Sequence, residues 1–209
     1  PAAHRRIRQR QLLTDPAHFW RNSGMSIVSA KDPNYDSTSA VGGGGTWAYW
    51  TTLIGEGLLD YGRGDVALQL IQKMLKTQVT AFKETGYFSE FYHSDQPQGC
   101  GEKHHVGGII PVYLLNRALG VQIFDSRRVF IGGKCFWDGD ITIKQHGVIV
   151  KRTGEKAHIT FPSGYSTEIV ANSDGDLVED TTTPIAEKLA IKPHFPPQVG
   201  APNDPKRVI

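Results

Sequence analysis

Residues 42–65 carry the sequence GGGGTWAYWTTLIGEGLLDYGRGD, an apolar segment with glycines at both ends. Its apolar side chains recur at helical spacing and its other positions are mostly small or neutral, which predicts a helix from Trp47 to Tyr61 that is buried on most sides. Thr46 stands at the expected N-cap, and Gly62 can end the helix in the left-handed conformation. Trp50 lies about one turn into this helix, so we expect it in the core.

A second helix is predicted from a cap at Asp65 to about Lys83, after a very short turn. Its apolar side chains form one stripe, and glutamines and lysines, Gln78 among them, are expected to supply a polar opposite face. A mostly buried helix followed closely by an amphipathic one is a helical hairpin with an inner and an outer member. A third helix, over Val106–Leu119 with Gly120 as its stop, is the next inner member.

Beyond residue 120 the chain changes to short alternating or β-branched runs, which predict strands. Turn residues at Asp138-Gly139 and Thr153-Gly154 favour a small antiparallel sheet or sandwich. The predicted strands are Val121–Phe124, Val129–Ile131, Ile141–Lys144, Val148–Lys151 and Ala157–Phe161. We therefore predict an α+β fold with three parts: a helical part over residues 1–120, a small antiparallel β domain over 121–170 and a polar, Pro-rich tail over 171–209.

Composition excludes several partners and sites. The formal net charge of +2, from 23 basic and 21 acidic residues in 209, is too small and too scattered for a nucleic-acid surface. No stretch approaches the roughly 20 apolar residues of a membrane-spanning helix, so we expect no membrane partner. Two cysteines, Cys100 and Cys135, without a CxxC motif cannot build a four-thiolate zinc site. We expect neither a metal nor a cofactor, and the compartment stays open.

Three further motifs have ordinary structural interpretations. The basic run over residues 4–10 is the solvated face of a short helix. His93, His104 and His105 lie near Cys100 in the sequence, but their spacing matches no standard zinc finger. The four glycines at 42–45 lack the lysine of a phosphate-binding loop, so we interpret them as a flexible approach to the helix, or as a place where substrate comes close to the backbone.

The segment Gly86–Tyr92 reads GYFSEFY and places one carboxylate, Glu90, among aromatic side chains. We interpret it as the start of a long loop that reaches His104. Aromatic neighbours exclude water from a carboxyl group, which suits it to general acid or base chemistry, and they offer apolar faces to sugar rings. By itself this pattern also fits a hydrogen-bonded structural acid.

Five motifs follow one another along the chain: Asp32-Pro33-Asn34-Tyr35-Asp36, Gly44-Gly45-Thr46-Trp47, Leu58-Leu59-Asp60-Tyr61-Gly62, Gly86–Tyr92 and His105-Val106-Gly107-Gly108. This succession resembles the last part of the six-hairpin glycosidases, the (α/α)6-barrel enzymes that include trehalases, glucoamylases and glycogen-debranching-like glucosidases. The resemblance covers about residues 14–120, and the strands that follow look like the β domain that often trails such barrels. It implies helical hairpins from the end of an (α/α)6 toroid.

The resemblance also implies roles for single residues. Trp47 corresponds to a tryptophan that lines the sugar pocket, and Glu90 corresponds to the general base of an inverting hydrolase that acts on an oligosaccharide or glucoside. Tyr87, Tyr92 and His105 are the further substrate-binding candidates.

Two alternatives stay open. The segment His104-His105-Val106-Gly107 is closer to the helix entry of rhamnosidase-like barrels, so a rhamnosidase-like glycosidase is one of them. The other is a noncatalytic carbohydrate-binding or interaction module derived from such a barrel.

The chain holds only part of the helices that such a barrel needs. Asp36, Asp60 and Asp95 are available carboxylates, but no motif position supports any of them as the general acid. We therefore expect the remaining barrel segment to lie upstream or in another chain, and this chain to be inactive by itself.

Overall fold

The computed structural model of the protein describes residues 12–40, 42–110, 112–132, 134–172 and 174–182. These residues form α-helices and several small antiparallel sheets, so the predicted α+β fold class is confirmed. The basic run over residues 4–10 and the proline-rich segment beyond residue 182 lie outside the described residues. None of the helices in the described ranges combines the length and hydropathy of a membrane-spanning helix.

The helical part begins with the predicted hairpin. Helix α1 spans Ala48–Asp60 and helix α2 spans Gly64–Thr85, and the two pack against each other. Gly62 in the turn between them has a φ of 70°, the left-handed conformation that glycine adopts without strain. The predicted hairpin is therefore confirmed.

The predicted third helix is interrupted. A 3₁₀ turn covers Val106–Gly108, and helix α3 begins only at Val112 and ends at Ala118. A Cβ atom at Gly108 would lie 1.8 Å from the carbonyl oxygen of Ser89, so this turn packs backbone against backbone. Gly107 and Gly108 also disfavour a helix interior, which explains the break.

Neither predicted capping residue caps its helix. The residue before α1 is Trp47, whose side chain makes no capping hydrogen bond. Thr46 instead pairs with Tyr92: the Thr46 N–H donates to the Tyr92 carbonyl at 2.8 Å, and the Tyr92 N–H returns the bond at 2.9 Å. Asp65 lies inside the first turn of α2, where its carboxylate pairs with Arg63 at 3.2 Å.

Helix α1 is buried on one face only. That face carries small residues and packs against α2, α3 and the 3₁₀ turn, and its Gly55 lies directly beneath Leu114. On the opposite face Trp50 is 42% exposed and Leu53 is 55% exposed. The expectation of a helix buried on most sides, with Trp50 in the core, is therefore wrong for this chain, because the neighbouring elements contact only the small-residue face.

The expected long loop after α2 is a β-hairpin. Strand β3 covers Ser89–Tyr92 and strand β4 covers Gly99–Lys103, paired antiparallel. Two shorter strands, Trp20–Arg21 (β1) and Gly24–Met25 (β2), form a separate small hairpin in the long connection near the start of the chain. Thr46 bridges Ser26 beside β2 as well as Tyr92 in β3, so both hairpins flank the start of α1.

The second half of the chain packs two antiparallel sheets around one core. Its strands are β5 Val121–Ile123, β6 Arg128–Ile131, β7 Asp140–Gln145, β8 Val148–Thr153, β9 Lys156–Thr160, β10 Ser166–Val170 and β11 Asp176–Glu179. One sheet has the strand order β10-β9-β8-β7, and the other has the order β11-β6-β5. Their inward side chains, chiefly valine and isoleucine, form a common buried cluster.

All five predicted strands are present as β5–β9, and the sequence analysis missed β10 and β11. Strand β11 falls inside the predicted tail, where it pairs with β6 and packs Val178 against the core. Its alternation of half-buried and exposed residues is typical of an edge strand, and its acidic ends masked that pattern in the sequence. The division into parts at residues 120 and 170 stays a prediction.

Arg152 joins the β sandwich to the end of α3. Its guanidinium Nη1 donates to the carbonyl oxygens of Leu119 at 3.2 Å and Gly120 at 2.6 Å, and its Nε donates to Gly154 at 2.8 Å. The residue is only 1% exposed, and burial lowers the pKa of its guanidinium from the ordinary value. A buried cation thus binds two carbonyl groups just after the end of the helix, and that of Gly120 also accepts the N–H of Gly132.

We expect Arg152→Met to lower the free energy of unfolding by about 2–3 kcal/mol, because hydrogen bonds to a charged group are lost inside the protein. Lys151→Met is the matched control, since Lys151 is exposed on the same strand. Urea denaturation of both variants measures the difference. Equal midpoints for the two variants would contradict this role of Arg152.

Candidate active site

Glu90 lies in the middle of β3, opposite an irregularity in β4. Ser89 pairs with Lys103 and Phe91 pairs with Cys100, so two residues of β4, Gly101 and Glu102, face the single residue Glu90. This arrangement is a β-bulge, and the φ of 74° at Gly101 is typical of the class that begins with a left-handed glycine. The candidate base therefore lies at a bulge of the hairpin.

The bulge supplies a hydrogen bond to the Glu90 carboxylate. The backbone N–H of Glu102 donates to Oε2 of Glu90 at 3.1 Å. The other carboxylate oxygen, Oε1, makes no hydrogen bond within the described part of the chain, and the side chain is partly exposed. Glu90 therefore has one oxygen held by the backbone and one oxygen available to a water molecule or ligand.

Trp47 lies beside β3, immediately before α1. Its ring stacks on Phe91 with centroids 5.0 Å apart and planes at 16°, and it meets the ring of Tyr49 at 5.2 Å and 69°. Trp47 is 7% exposed, and its indole Nε1 has no hydrogen-bond partner among the described residues. The structure thus places Trp47 against Phe91, the residue next to Glu90 on β3.

Tyr92 corrects one expectation from the sequence. The residue is fully buried in the helical core, and its hydroxyl donates to the carbonyl oxygen of Gly108 at 3.1 Å. The side chain packs among residues of the three helices, in the cluster that includes Met74 and Leu114. Tyr92 therefore holds the 3₁₀ turn and has no surface for a sugar.

Tyr87 and His105 flank the β3–β4 hairpin. The ring of Tyr87 lies 5.3 Å from that of His104, and the ammonium of Lys103 lies 5.2 Å from the Tyr87 centroid. The backbone N–H of His105 donates to the carbonyl of Phe88 at 3.2 Å, and its ring Nδ1 accepts the N–H of Gly107 at 3.1 Å. Both residues thus lie near the ends of the hairpin whose strand β3 carries Glu90.

Gln78 is a buried residue that the sequence analysis placed on the polar face of α2. Its Nε2 donates to the Gly108 carbonyl at 2.6 Å, and its Oε1 accepts the N–H of Ile110 at 3.4 Å. Its position four residues after Met74 and three before Ala81 puts it on the apolar stripe, and this spacing is the signal that could have identified it. Together with Tyr92, Gln78 holds the turn that follows His105.

The glycine run before α1 packs closely against this chain itself. A Cβ atom at Gly44 would lie 2.3 Å from the ring of Tyr35, and one at Gly45 would lie 2.7 Å from the ring of Phe91. Side chains of the protein thus occupy the space beside these glycines, and the expected close approach of substrate at Gly44 and Gly45 is wrong.

The carboxylates that were considered as a general acid are already engaged. Asp95 pairs with Arg21 at 2.6 Å, and Asp60 pairs with Arg117 at 2.8 Å. Asp36 accepts hydrogen bonds from the hydroxyl and N–H of Thr38, which lower its pKa from the ordinary value. A general acid must hold its proton near neutral pH, so these surroundings disfavour Asp36 in that role.

No cluster of three or more histidine, cysteine, aspartate or glutamate side chains in the described ranges could hold a metal ion. His93, His104, His105 and Cys100 therefore do not converge on a common point. The residues near Glu90 supply a carboxylate, aromatic rings and backbone N–H groups, and these groups can orient a water molecule and bind hydroxyl-rich ligands.

The family model described as the mannosylglycerate hydrolase MGH1-like glycoside hydrolase domain matches residues 1–106, half of the chain. The matched range contains Trp47, Glu90 and His105 and ends where the 3₁₀ turn begins. No curated protein matches the chain.

We expect Gln78→Ala to lower the free energy of unfolding by about 1–3 kcal/mol. In this variant the buried N–H of Ile110 loses its acceptor, and the carbonyl of Gly108 loses the donor that Gln78 provides. Gln72→Ala, an exposed position on the same helix, is the matched control. Chemical denaturation measures both. A Gln78→Ala variant as stable as the control would show that the amide does not hold the turn.

Proposed function

Because the chain belongs to the MGH1-like glycoside hydrolase family, we propose that it carries the general base of a glycosidase and that Glu90 is this base. The observation that supports the proposal is the state of the Glu90 carboxylate. One oxygen accepts the Glu102 N–H, and the other is available for a proton from water. The aromatic rings of Trp47 and Phe91 pack beside the same strand.

The proposed reaction is hydrolysis of a glycosidic bond with inversion. Glu90 takes a proton from the water that attacks the anomeric carbon, while a second carboxylic acid protonates the oxygen that leaves. Inverting enzymes hold the two carboxyl groups about 6.5–9.5 Å apart, so that the water fits between Glu90 and the sugar. Asp36, Asp60 and Asp95 are engaged elsewhere, so we assign the acid to a segment outside this chain.

We further propose that the helical part is the end of a six-hairpin (α/α)6 barrel of the trehalase and glucoamylase type. The support is an exposed apolar surface on α1, the 3₁₀ turn and α3, which we name the α1 patch. Large exposed apolar surfaces mark places where another part of a protein packs. The patch consists of Tyr49, Trp50, Leu53, Val106, Ile109, Val112 and Tyr113.

The proposed occupant of the α1 patch is the remaining barrel segment, upstream in a longer polypeptide or in another chain. Such a segment adds apolar helix faces that cover Trp50 and Leu53. It also adds the missing general acid. This chain by itself is then inactive, because it lacks one of the two carboxyl groups.

The substrate is a carbohydrate, and Trp47, Tyr87 and His105 are the proposed contacts. The indole N–H of Trp47 is buried and has no acceptor among the residues that the structure describes, which costs free energy that a ligand oxygen would recover. One face of the Trp47 ring is covered by Phe91, so its proposed contribution is this polar contact.

The catalytic proposal predicts that Glu90→Gln lowers kcat by about 10²–10⁴-fold in the polypeptide as its source organism makes it, because a positioned base contributes about that factor. Glu102→Gln is the matched control, since it changes an exposed carboxylate in the same hairpin and keeps the backbone N–H. Hydrolysis of mannosylglycerate, an α-glucoside and a rhamnoside is measured, with the anomer of the first product assigned by NMR.

Near-normal turnover of Glu90→Gln removes Glu90 from the role of base. Hydrolysis of the rhamnoside alone supports the rhamnosidase-like alternative. Sugar binding that survives Glu90→Gln, without hydrolysis of any substrate by the wild type, favours the noncatalytic carbohydrate-binding module. Hydrolysis by the isolated 209-residue chain that is lost in Glu90→Gln overturns the assignment of the acid to another segment.

The barrel proposal predicts that Leu53→Asp costs at least about 2–5 kcal/mol in the natural polypeptide, the range for loss of a buried leucine side chain. In the isolated 209-residue chain, where Leu53 is 55% exposed, the effect is small. Thermal midpoints of both proteins are compared, with Tyr61→Asp as a control outside the patch. An equally small effect in both proteins would show that no further helix covers α1.

A further inference from the structure

We propose that Gly101 is a positioning residue for Glu90, and that the bulge formed by Gly101 and Glu102 fixes the direction of the catalytic carboxylate. This inference rests on the proposed role of Glu90 as a general base. Gly101 itself does not touch the substrate in this proposal. It acts through the carboxylate and through Phe91.

The first support is the hydrogen bond that the bulge creates. A regular antiparallel pair sets one residue opposite one residue, whereas here two residues of β4 oppose Glu90. The backbone N–H of the second one, Glu102, donates to Oε2 of Glu90 at 3.1 Å. At the bulge the backbone of β4 thus donates a hydrogen bond to the carboxylate of Glu90.

The second support is the space around Gly101. A Cβ atom there would lie 2.4 Å from Oε2 of Glu90 and 2.8 Å from Cε1 of Phe91. Both distances are shorter than real carbon contacts, so a side chain would displace the carboxylate and the ring on which Trp47 stacks. The φ of 74° also favours glycine at this position.

Gly101 is distinct from its neighbours in what it contacts. A Cβ atom at Gly99 would meet the hydroxyl of Ser89, and one at Gly108 would meet the carbonyl of Ser89. Among the glycines in the described ranges, only Gly101 lies against the Glu90 side chain. Gly99 and Gly108 thus fix the strand, and Gly101 fixes the carboxylate on it.

The functional consequence concerns the free oxygen. With Oε2 bound to the Glu102 N–H, the rotation of the carboxylate is restricted and Oε1 faces a defined direction. A general base must reach its water within hydrogen-bond distance, and a displacement of about 1 Å can cost about 10²-fold in rate. Holding one oxygen thus directs the other toward the attacking water.

The kinetic test uses Gly101→Ala in the natural polypeptide. We expect kcat to fall about 10–100-fold, because the base is displaced. We expect KM to change by a smaller factor, because the atoms nearest to the added methyl group belong to Glu90 and Phe91 and not to Tyr87 or His105. Gly86→Ala is the matched control: its φ of 78° is similar, and nothing lies within 4 Å of the added Cβ, so it imposes the same backbone strain without touching Glu90.

A second measurement does not depend on activity or on the folding of Gly101→Ala. The Glu102→Gln chain is labelled with ¹⁵N, so that residue 102 carries no titrating group of its own. We expect the amide proton of residue 102 to shift with pH as Glu90 ionises, and this shift to disappear when Glu90→Gln is added. An amide that does not respond to Glu90 overturns the inference.

The outcomes separate this inference from the proposed function. If Glu90→Gln loses activity and Gly101→Ala behaves like Gly86→Ala, the positioning role is wrong and the base remains. If Glu90→Gln is active, Glu90 is not the base, and the bulge then has no catalytic role through Glu90. A kcat loss in Glu90→Gln and in Gly101→Ala but not in Gly86→Ala, together with the Glu90-dependent amide shift, supports both.

Discussion

Two backbone hydrogen bonds between Thr46 and Tyr92 hold the start of α1 against strand β3, and the arrangement of the candidate site depends on them. They bring Trp47 within stacking distance of Phe91, one residue from Glu90. Backbone hydrogen bonds contribute only about 1 kcal/mol each, so the contact needs further support. Gly45 supplies it, because the absence of a side chain lets the chain lie directly on the Phe91 ring.

The helical hairpin and five strands could be predicted because their signals are local. Helical periodicity with a left-handed Gly62 identifies α1 and α2, and β-branched alternation identifies β5–β9. The hairpin β3–β4 was missed because Gly99 and Gly101 make one strand look like a loop. Trp50 was misplaced for another reason: periodicity identifies an apolar face but does not say which element covers it.

The candidate site was accessible to sequence reasoning only in part. Resemblance to known motifs singled out Glu90 and Trp47, and their roles remain proposals. Tyr92 was a candidate for sugar binding, but it is fully buried, and the sequence did not show that the helices would cover it. Gln78 bonds to a backbone group that is distant in the sequence, and Gly101 contacts Glu90 across a strand pair whose register is shifted. A single sequence does not indicate where such a shift occurs.

The position of Arg152 has a consequence for how this architecture can change during evolution. Its guanidinium comes from the β sandwich, while the carbonyl groups that it satisfies belong to the end of a helix. The sandwich is therefore not a module that recombination can exchange freely. A replacement domain would have to supply its own donor at the same point, or the carbonyl of Leu119, just after the last helix, would lose the donor that Arg152 provides.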